Sequence, residues 1–266
     1  MTKISVVMST RNGAAHIDEA IDSILNQTFL DFELIVCNDH STDSTSTIIN
    51  RYCRSDSRVK IFENCFSSGL TSALNYGIEQ ATGEYIARMD DDDIAHPDRL
   101  EIEAVYLDNH PNISIVSSNV NFFDSNGVYG RTNKIKVPSK TDIWRGKIFT
   151  HPAVMFRKKN AELVGLYSED NDVIRIEDYD FWCKFYYKGF YGINLDKVLL
   201  DYREDDASFK KRDMARKIRL AKCMLRWWKD MELPVYYLIF VLYELFKLII
   251  PQKLIQKYHR RHFSSE

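Results

Sequence analysis

Four apolar runs, at residues 4–8, 32–37, 59–62 and 84–89, alternate with segments of helical period, and that alternation restricts the chain to a small set of folds. Continuous apolar runs are the mark of strands buried on both faces, as in a parallel sheet. Between the first two, Ile17, Ala20, Ile21, Ile24 and Leu25 recur at helical spacing. Ser41-Thr42-Asp43 offers N-cap chemistry to a helix carrying Ile48, Ile49 and Tyr52, and residues 70–81 and 97–107 predict two more helices. Residues 113–123 predict a further strand, closed by Ser125-Asn126-Gly127. Strands alternating with helices of this length predict an α/β fold with a Rossmann-like, mostly parallel, doubly wound sheet. From about residue 130 the alternation breaks down. A helix over 178–187, with Phe181, Trp182 and Phe185 inward, and a last strand over 196–202 can still be read.

Polar residues close several strands: Thr10 the first, Asp39 the second, and Asp90-Asp91-Asp92-Asp93 the fourth. In an open α/β sheet the carboxyl ends of the strands are where ligands bind. Four adjacent aspartates repel one another and call for a counter-charge. A hard divalent cation bridging to a diphosphate supplies one, because Mg²⁺ and Mn²⁺ take a few carboxylates together with substrate phosphates. The plain alternative is a solvated acidic loop that caps the next helix.

A length of 266 residues suits one sizeable domain with an appendage, and 45% hydrophobic with 28% charged residues is an ordinary globular composition. The net charge of −2 conceals an asymmetry. Residues 1–206 carry 22 Lys and Arg against 33 Asp and Glu, whereas residues 207–266 carry 14 against 5. An acidic body and a basic tail are expected to meet different partners. Cys37, Cys53, Cys65, Cys183 and Cys223 form no Cys-x-x-Cys pair, which disfavours a disulfide framework or zinc knuckle and fits a reducing cytosol. Met1-Thr2-Lys3 leads straight into strand residues without a signal-peptide pattern, so a cytoplasmic location is expected.

Several ordered segments together resemble the inverting nucleotide-sugar glycosyltransferases of family 2. These are residues 4–12, 23–29, 32–36, Asn38-Asp39-His40-Ser41-Thr42-Asp43, 83–93, His151-Pro152-Ala153 and Glu177-Asp178-Tyr179-Asp180-Phe181-Trp182. The resemblance spans residues 3–206 and implies a nucleotide-binding catalytic domain of GT-A type over 1–206. It implies that Thr10, Asp39, Asp90, Asp91 and Arg88 hold the nucleotide sugar, Asp39 accepting from the N3–H of uracil or thymine. It implies Asp92 as direct metal ligand, with Asp90, for Mn²⁺ or Mg²⁺. Asp178 is the implied general base, with Glu177 and Asp180 as competitors, and first-turn helix stabilisation is the bland account of all three. His151, Glu177 and Trp182 are candidates to contact acceptor or phosphate, although packing beneath the base suits Trp182 better than sugar stacking. The chain departs from the family at Asn38, at His40 where glycine is usual, and after Tyr202-Arg203. There Glu204-Asp205-Asp206 stands in place of a histidine, with Asp205 or Asp206 as substitute oxygen ligands.

The tail combines Met214, Ile218, Ala221, Met224, Leu225 and Trp228 at helical spacing with many lysines and arginines, then the apolar run 235–243. A membrane-spanning helix needs ~20 mostly apolar residues, and Glu244 and Lys247 interrupt this one too early. Lys210, Lys211, Arg212, Arg216, Lys217, Arg219, Lys253, Lys257, Arg260 and Arg261 suit an anionic inner leaflet, and the tryptophans and tyrosines an interfacial depth. A basic helical tail at 207–266, peripheral on the inner face of the cell membrane, is therefore expected. The alternative is a helical pair packed on the catalytic domain. No nucleic-acid-binding motif accompanies the charge, so nucleic acid is not an expected partner.

The expected activity is metal-dependent, inverting transfer of a hexose, β-galactose or β-glucose, from a UDP-sugar to a lipid-linked saccharide of the GlcNAc-diphospho-undecaprenol type, in surface-polysaccharide or O-antigen assembly. A dTDP-rhamnose donor and a non-catalytic binding partner that keeps the fold are the alternatives.

Overall fold

Ile4, Val6, Val7 and Met8 are buried, as are Leu34, Ile35, Val36 and Cys37, so strands β1 (Ile4–Thr10) and β2 (Phe32–Asn38) run through the middle of the protein. The computed structural model describes residues 2–66, 68–204 and 214–247. The other strands are β3 (Val59–Glu63), β4 (Tyr85–Asp90), β5 (Ile94–Ala95), β6 (Ile113–Asp124), β7 (Gly127–Arg131), β8 (Val154–Arg157) and β9 (Tyr191–Arg203). They form one sheet in the order β3-β2-β1-β4-β8-β6-β9-β5, with β7 paired to β6. Strands β1 to β4 pair in parallel, as do β6 and β9; β8 lies antiparallel between β4 and β6. The mostly parallel α/β sheet expected from the apolar runs is what the chain forms.

Alternate sheet residues face two cores. On one face Val6, Met8, Leu34 and Ala87 pack with α1 (Ile17–Leu25), α2 (Thr45–Ser55) and α4 (Arg99–Asn109). On the other Val7, Ile35 and Ile86 pack with α3 (Leu70–Gln80), α5 (Lys140–Trp144) and α7 (Glu177–Tyr187). Gly77 lets α3 approach the sheet, since a Cβ there would lie 2.7 Å from Val7 Cγ1 and 2.9 Å from Cys37 Sγ.

The irregular stretch after residue 130 holds what periodicity could not show. It contains α5, capped by a Ser139–Asp142 capping box, then the four-residue strand β8 and α6 (Lys158–Leu163). A strand that short is below the length at which a two-residue period can be read. Strand β9 begins before the predicted 196–202, because register shifts opposite Ser118 and Asn119 break its alternation. The segment after the aspartates pairs as β5 with β9 before α4 begins at Arg99.

The described part of the basic tail is α8 (Met214–Asp230) and α9 (Leu238–Phe246). Ala221, Cys223, Met224 and Trp227 are buried in the same core as α5 and α7, and Trp144 Nε1 donates to the Met224 carbonyl at 2.9 Å. Asp180 is the polar pin of this joint. It is fully buried, accepts from Trp227 Nε1 at 2.9 Å and Ser168 Oγ at 2.6 Å, and pairs with Arg226. Asp205, Asp206, Lys210, Lys211, Arg212, Lys253, Lys257, Arg260 and Arg261 lie outside the described residues.

Removing Asp180 strips a buried indole and a guanidinium of their acceptor at once. Asp180→Ala is expected to destabilise the protein by about 3 kcal/mol, read as a lower urea midpoint.

Candidate functional site

The sheet order reverses between β1 and β4: from β1 the chain works outward through β2 and β3, then returns to pair β4 on the opposite side of β1. Such a switch point leaves a crevice beyond the strand ends. Thr10 ends β1, and Asp90 ends β4 opposite Ser9. Thr10 Oγ1 donates to the Asp91 carboxylate. Gly13 sits against this pair: a Cβ there would lie 2.5 Å from Thr10 Oγ1 and closer still to Asp91 Oδ2. Burial raises the Asp91 pKa, and the Thr10 hydroxyl opposes that shift.

Asp90, Asp92 and Asp93 gather at one point, with one oxygen from each within 4.8 Å of the others. The buried Arg88 lies beneath them, its Nη1 2.5 Å from Asp90 Oδ2. Burial alone would make that guanidinium less basic, but the Asp90 charge outweighs it. Asp93 Oδ1 accepts from the Arg203 backbone N–H at 2.8 Å, while its buried Oδ2 has no hydrogen-bond partner among the described residues. Burial, then repulsion from Asp90 and Asp92, pushes the Asp93 pKa well up. Arg203 closes the turn, donating from Nε to the Asp92 carbonyl at 2.8 Å and from Nη2 to Glu19 at 2.6 Å. Three hard oxygen donors, one of them buried and unpartnered, fit Mg²⁺ or Mn²⁺. Sequence reasoning chose Asp90 and Asp92 for the metal and passed over Asp93, because burial within a run of identical residues is not written in the run.

Asp39 follows β2 on the same edge and is buried. Its Oδ1 accepts from Asn64 Nδ2 at 2.8 Å, and its Oδ2 from Ser68 Oγ at 3.1 Å and the Gly69 N–H at 3.0 Å. Each carboxylate oxygen has two lone pairs, so Oδ1 keeps room for another donor. His40 takes φ 57°, so the turn after Asp39 keeps the left-handed backbone that glycine would adopt more easily.

Across the crevice the first turn of α7 brings Glu177 and Asp178 into the same cleft as Asp90, Asp91 and Asp92. Asp178 is half-buried, and its Oδ1 accepts from the Tyr179 N–H at 2.8 Å. Burial, then the neighbouring Asp178 charge, pushes Glu177 up to about 7. Asp180 points into the core, which removes one of the competitors for the role of base. His151 lines the cleft and shares a hydrogen bond with the Tyr167 hydroxyl at 2.8 Å; burial and Arg88 lower its pKa far enough to keep it neutral. Trp182 packs inward, as its place on the inner face of the helix predicts, and its candidacy as an acceptor contact falls. It is fully buried against Phe149, Phe156 and Phe185, so its ring presents no surface to an acceptor and packs beneath the site instead.

Lys134, Arg175, Arg203 and Arg216 also line the cleft. None was singled out for the site, since Lys134 and Arg175 lie in irregular segments and Arg216 reads as one cation among many in a basic helix.

The family model for glycosyl transferase family 2 matches residues 5–165. EpsE of Bacillus subtilis (strain 168), named as a glycosyltransferase, is 32% identical over 265 residues, covering 99% of this chain and 95% of its own. WbnJ of Escherichia coli, named as an O-antigen biosynthesis glycosyltransferase, is 31% identical, covering 80% of this chain and 84% of its own. The Escherichia coli protein WfgD, named as a UDP-Glc:alpha-D-GlcNAc-diphosphoundecaprenol beta-1,3-glucosyltransferase, is 34% identical over 48% of this chain and 49% of its own. Among solved structures, S. aureus TarS 1–349 in complex with UDP-GlcNAc superposes with a TM-score of 0.71 at 21% identity, over 88% of this chain and 67% of its own. A mannosyltransferase from Pyrobaculum calidifontis with GDP-Man and Mn²⁺ gives 0.62 at 21%, over 94% of this chain and 70% of its own.

The raised Glu177 pKa sets a stability test. Between about 4.5, the value of a free glutamate, and about 7 the folded protein keeps a proton that the unfolded chain has lost. Its contribution is therefore full at low pH and is lost as pH rises through that window. Glu177→Gln is expected to flatten the fall and to stabilise the protein at pH 8 by about 2 kcal/mol, measured by urea unfolding of both proteins from pH 4 to 8.

Proposed function

The chain belongs to glycosyl transferase family 2, and from that premise we propose that it transfers a hexose, glucose or galactose in β linkage, from a UDP-sugar to a hydroxyl of a lipid-linked saccharide during surface-polysaccharide assembly. One observation carries the reading: the carboxylates at the β4 end and those of the first turn of α7 line one cleft of about 560 Å³. The names of WbnJ and WfgD, and the UDP-GlcNAc complex of TarS, support the process, the acceptor class and the nucleotide.

The chemistry follows from that arrangement. Asp39 receives the base from beside β2, and Thr10 and Asp91 line the approach to the ribose. Asp90, Asp92 and Asp93 would hold Mg²⁺ or Mn²⁺, which when bound offsets the charge of the diphosphate leaving group. Arg88, buried and paired with Asp90, adds a fixed positive charge to the carboxylate cluster. Asp178, facing the cleft, takes the acceptor hydroxyl proton as that oxygen attacks the anomeric carbon from the face opposite the diphosphate. The sugar–phosphate bond breaks as the new glycosidic bond forms, and the configuration inverts. Glu177, its pKa pushed up by burial and by the neighbouring Asp178 charge, lines the same cleft beside the proposed base.

Among the described residues no helix is long and apolar enough to cross a membrane. A surface contact is better supported. Val235 and Tyr236 are about 70% exposed, and Ile239, Leu242, Tyr243 and Phe246 are exposed beside them on α9. An apolar strip of this kind, beside Arg145, Lys147 and the Lys247–Glu244 ion pair, suits the interface of an anionic leaflet.

Titration of UDP, dTDP and GDP, each with and without Mn²⁺, tests the donor. Metal-dependent UDP binding is expected in the wild type and not in Asp92→Ala; its absence from the wild type would overturn the reading. Asp178→Asn is expected to bind UDP normally and to lose about 10³-fold in kcat, and an undiminished kcat would remove Asp178 from the mechanism. In vesicle flotation, phosphatidylglycerol vesicles are expected to retain the protein, and Ile239→Asp with Leu242→Asp to release it. Retention of the double variant would locate any membrane contact elsewhere.

A further inference from the structure

Acids and cations both line the cleft. The β4 end supplies the aspartates, whereas Lys134, Arg175 and Arg216 line it around Glu177 and Asp178. The donor chemistry uses the β4 aspartates and gives Lys134, Arg175 and Arg216 no role. We propose that Arg175 and Arg216, with Lys134, form the subsite for a phosphate group on the acceptor, so that the enzyme selects a sugar phosphate or diphosphate ester over a neutral glycoside. The inference rests on the transferase reading and specifies its acceptor.

Three observations carry it. First, position: Arg175 precedes Asp178 by three residues, so an anion held there would fix an acceptor hydroxyl close to the base. Second, construction: Arg175 holds the left-handed φ of 64°, an uncommon backbone for a side chain of this size. Two arginines of α8 secure that turn, with Arg216 Nε donating to the Arg175 carbonyl at 2.8 Å and Arg219 Nε to the Ile174 carbonyl at 2.9 Å. Lys134 lines the same cleft, donating to the Ile148 carbonyl at 3.2 Å; burial lowers its pKa and the Asp178 charge opposes that shift. Third, continuity: Lys217, the residue after Arg216, donates to the Lys247 carbonyl at 2.6 Å at the end of α9. The helix that carries Arg216 into the cleft is thus also bonded, through Lys217, to the element with the exposed apolar strip, where the lipid of a lipid-linked acceptor would lie.

Charge near Asp178 could serve only to offset Glu177 and Asp178, and the experiment separates the two roles. Binding of undecyl diphosphate and of the neutral undecyl α-GlcNAc glycoside is measured by calorimetry, without metal, on the full chain. The expected result is diphosphate binding at least tenfold tighter than glycoside in the wild type. A loss of about tenfold is expected in Arg175→Ala and in Arg216→Ala, with Arg216→Lys partly restoring it. The affinity for UDP with Mn²⁺ is expected to stay within twofold. Equal binding of the two probes, or unchanged diphosphate binding in both alanine variants, would overturn the subsite. So would a parallel loss of UDP affinity, which would assign the arginines to the donor. Should Arg216→Ala fail to fold by circular dichroism, Lys134→Gln carries the same test. Phosphatidylglycerol vesicles added as competitor are expected to leave diphosphate binding unchanged; displacement would assign the arginines to lipid headgroups. Failure of UDP binding in the wild type would instead defeat the transferase reading on which the subsite stands.

Discussion

Repulsion among four carboxylates at the end of one strand is the constraint around which this protein is arranged. Asp90, Asp92 and Asp93 bring oxygens within 4.8 Å of each other, an arrangement that cannot hold three full charges unaided. The fold answers in several ways. A buried arginine two residues earlier in β4 places its charge under Asp90. The end of β9 brings Arg203 across the turn, so that main chain and side chain both bond to it. Asp91 is drawn aside by Thr10, into space that only a residue without a Cβ at position 13 leaves open. Asp93 holds its proton more tightly in compensation. The remaining negative charge is what a divalent cation and a diphosphate would complete.

The other side of the cleft depends on a different device, a joint between α7 and α8. Asp180, two residues beyond Asp178, is consumed by contacts to Trp227, Ser168 and Arg226 and so secures the helix whose first turn faces the cleft. Three acidic residues in four positions thus take three fates. Asp180 is an anchor, Glu177 a buried acid of raised pKa, and Asp178 the half-buried carboxylate beside the cleft. Because α8 also carries Arg216 to the cleft, the described part of the basic tail lines the cleft as well as packing in the core.

Much of this was legible in the residues. The strands from 4 to 90 were readable because a strand buried on both faces is apolar throughout, and their polar ends marked the ligand edge. The same logic failed past residue 130. Strand β8 is too short to show a period, and β9 is interrupted by register shifts.

By itself, then, the sequence determined the parallel sheet and the acidic strand end, because apolar runs and adjacent carboxylates have few ways to be buried or neutralised. The tertiary structure alone decided which aspartates converge, that Glu177 and Asp178 line the cleft while Asp180 is buried away from it, and that Lys134, Arg175 and Arg216 line it too. Those outcomes depend on side chains from distant segments sharing one space. Charge, burial and distance belong to that space, and no single stretch of chain records them.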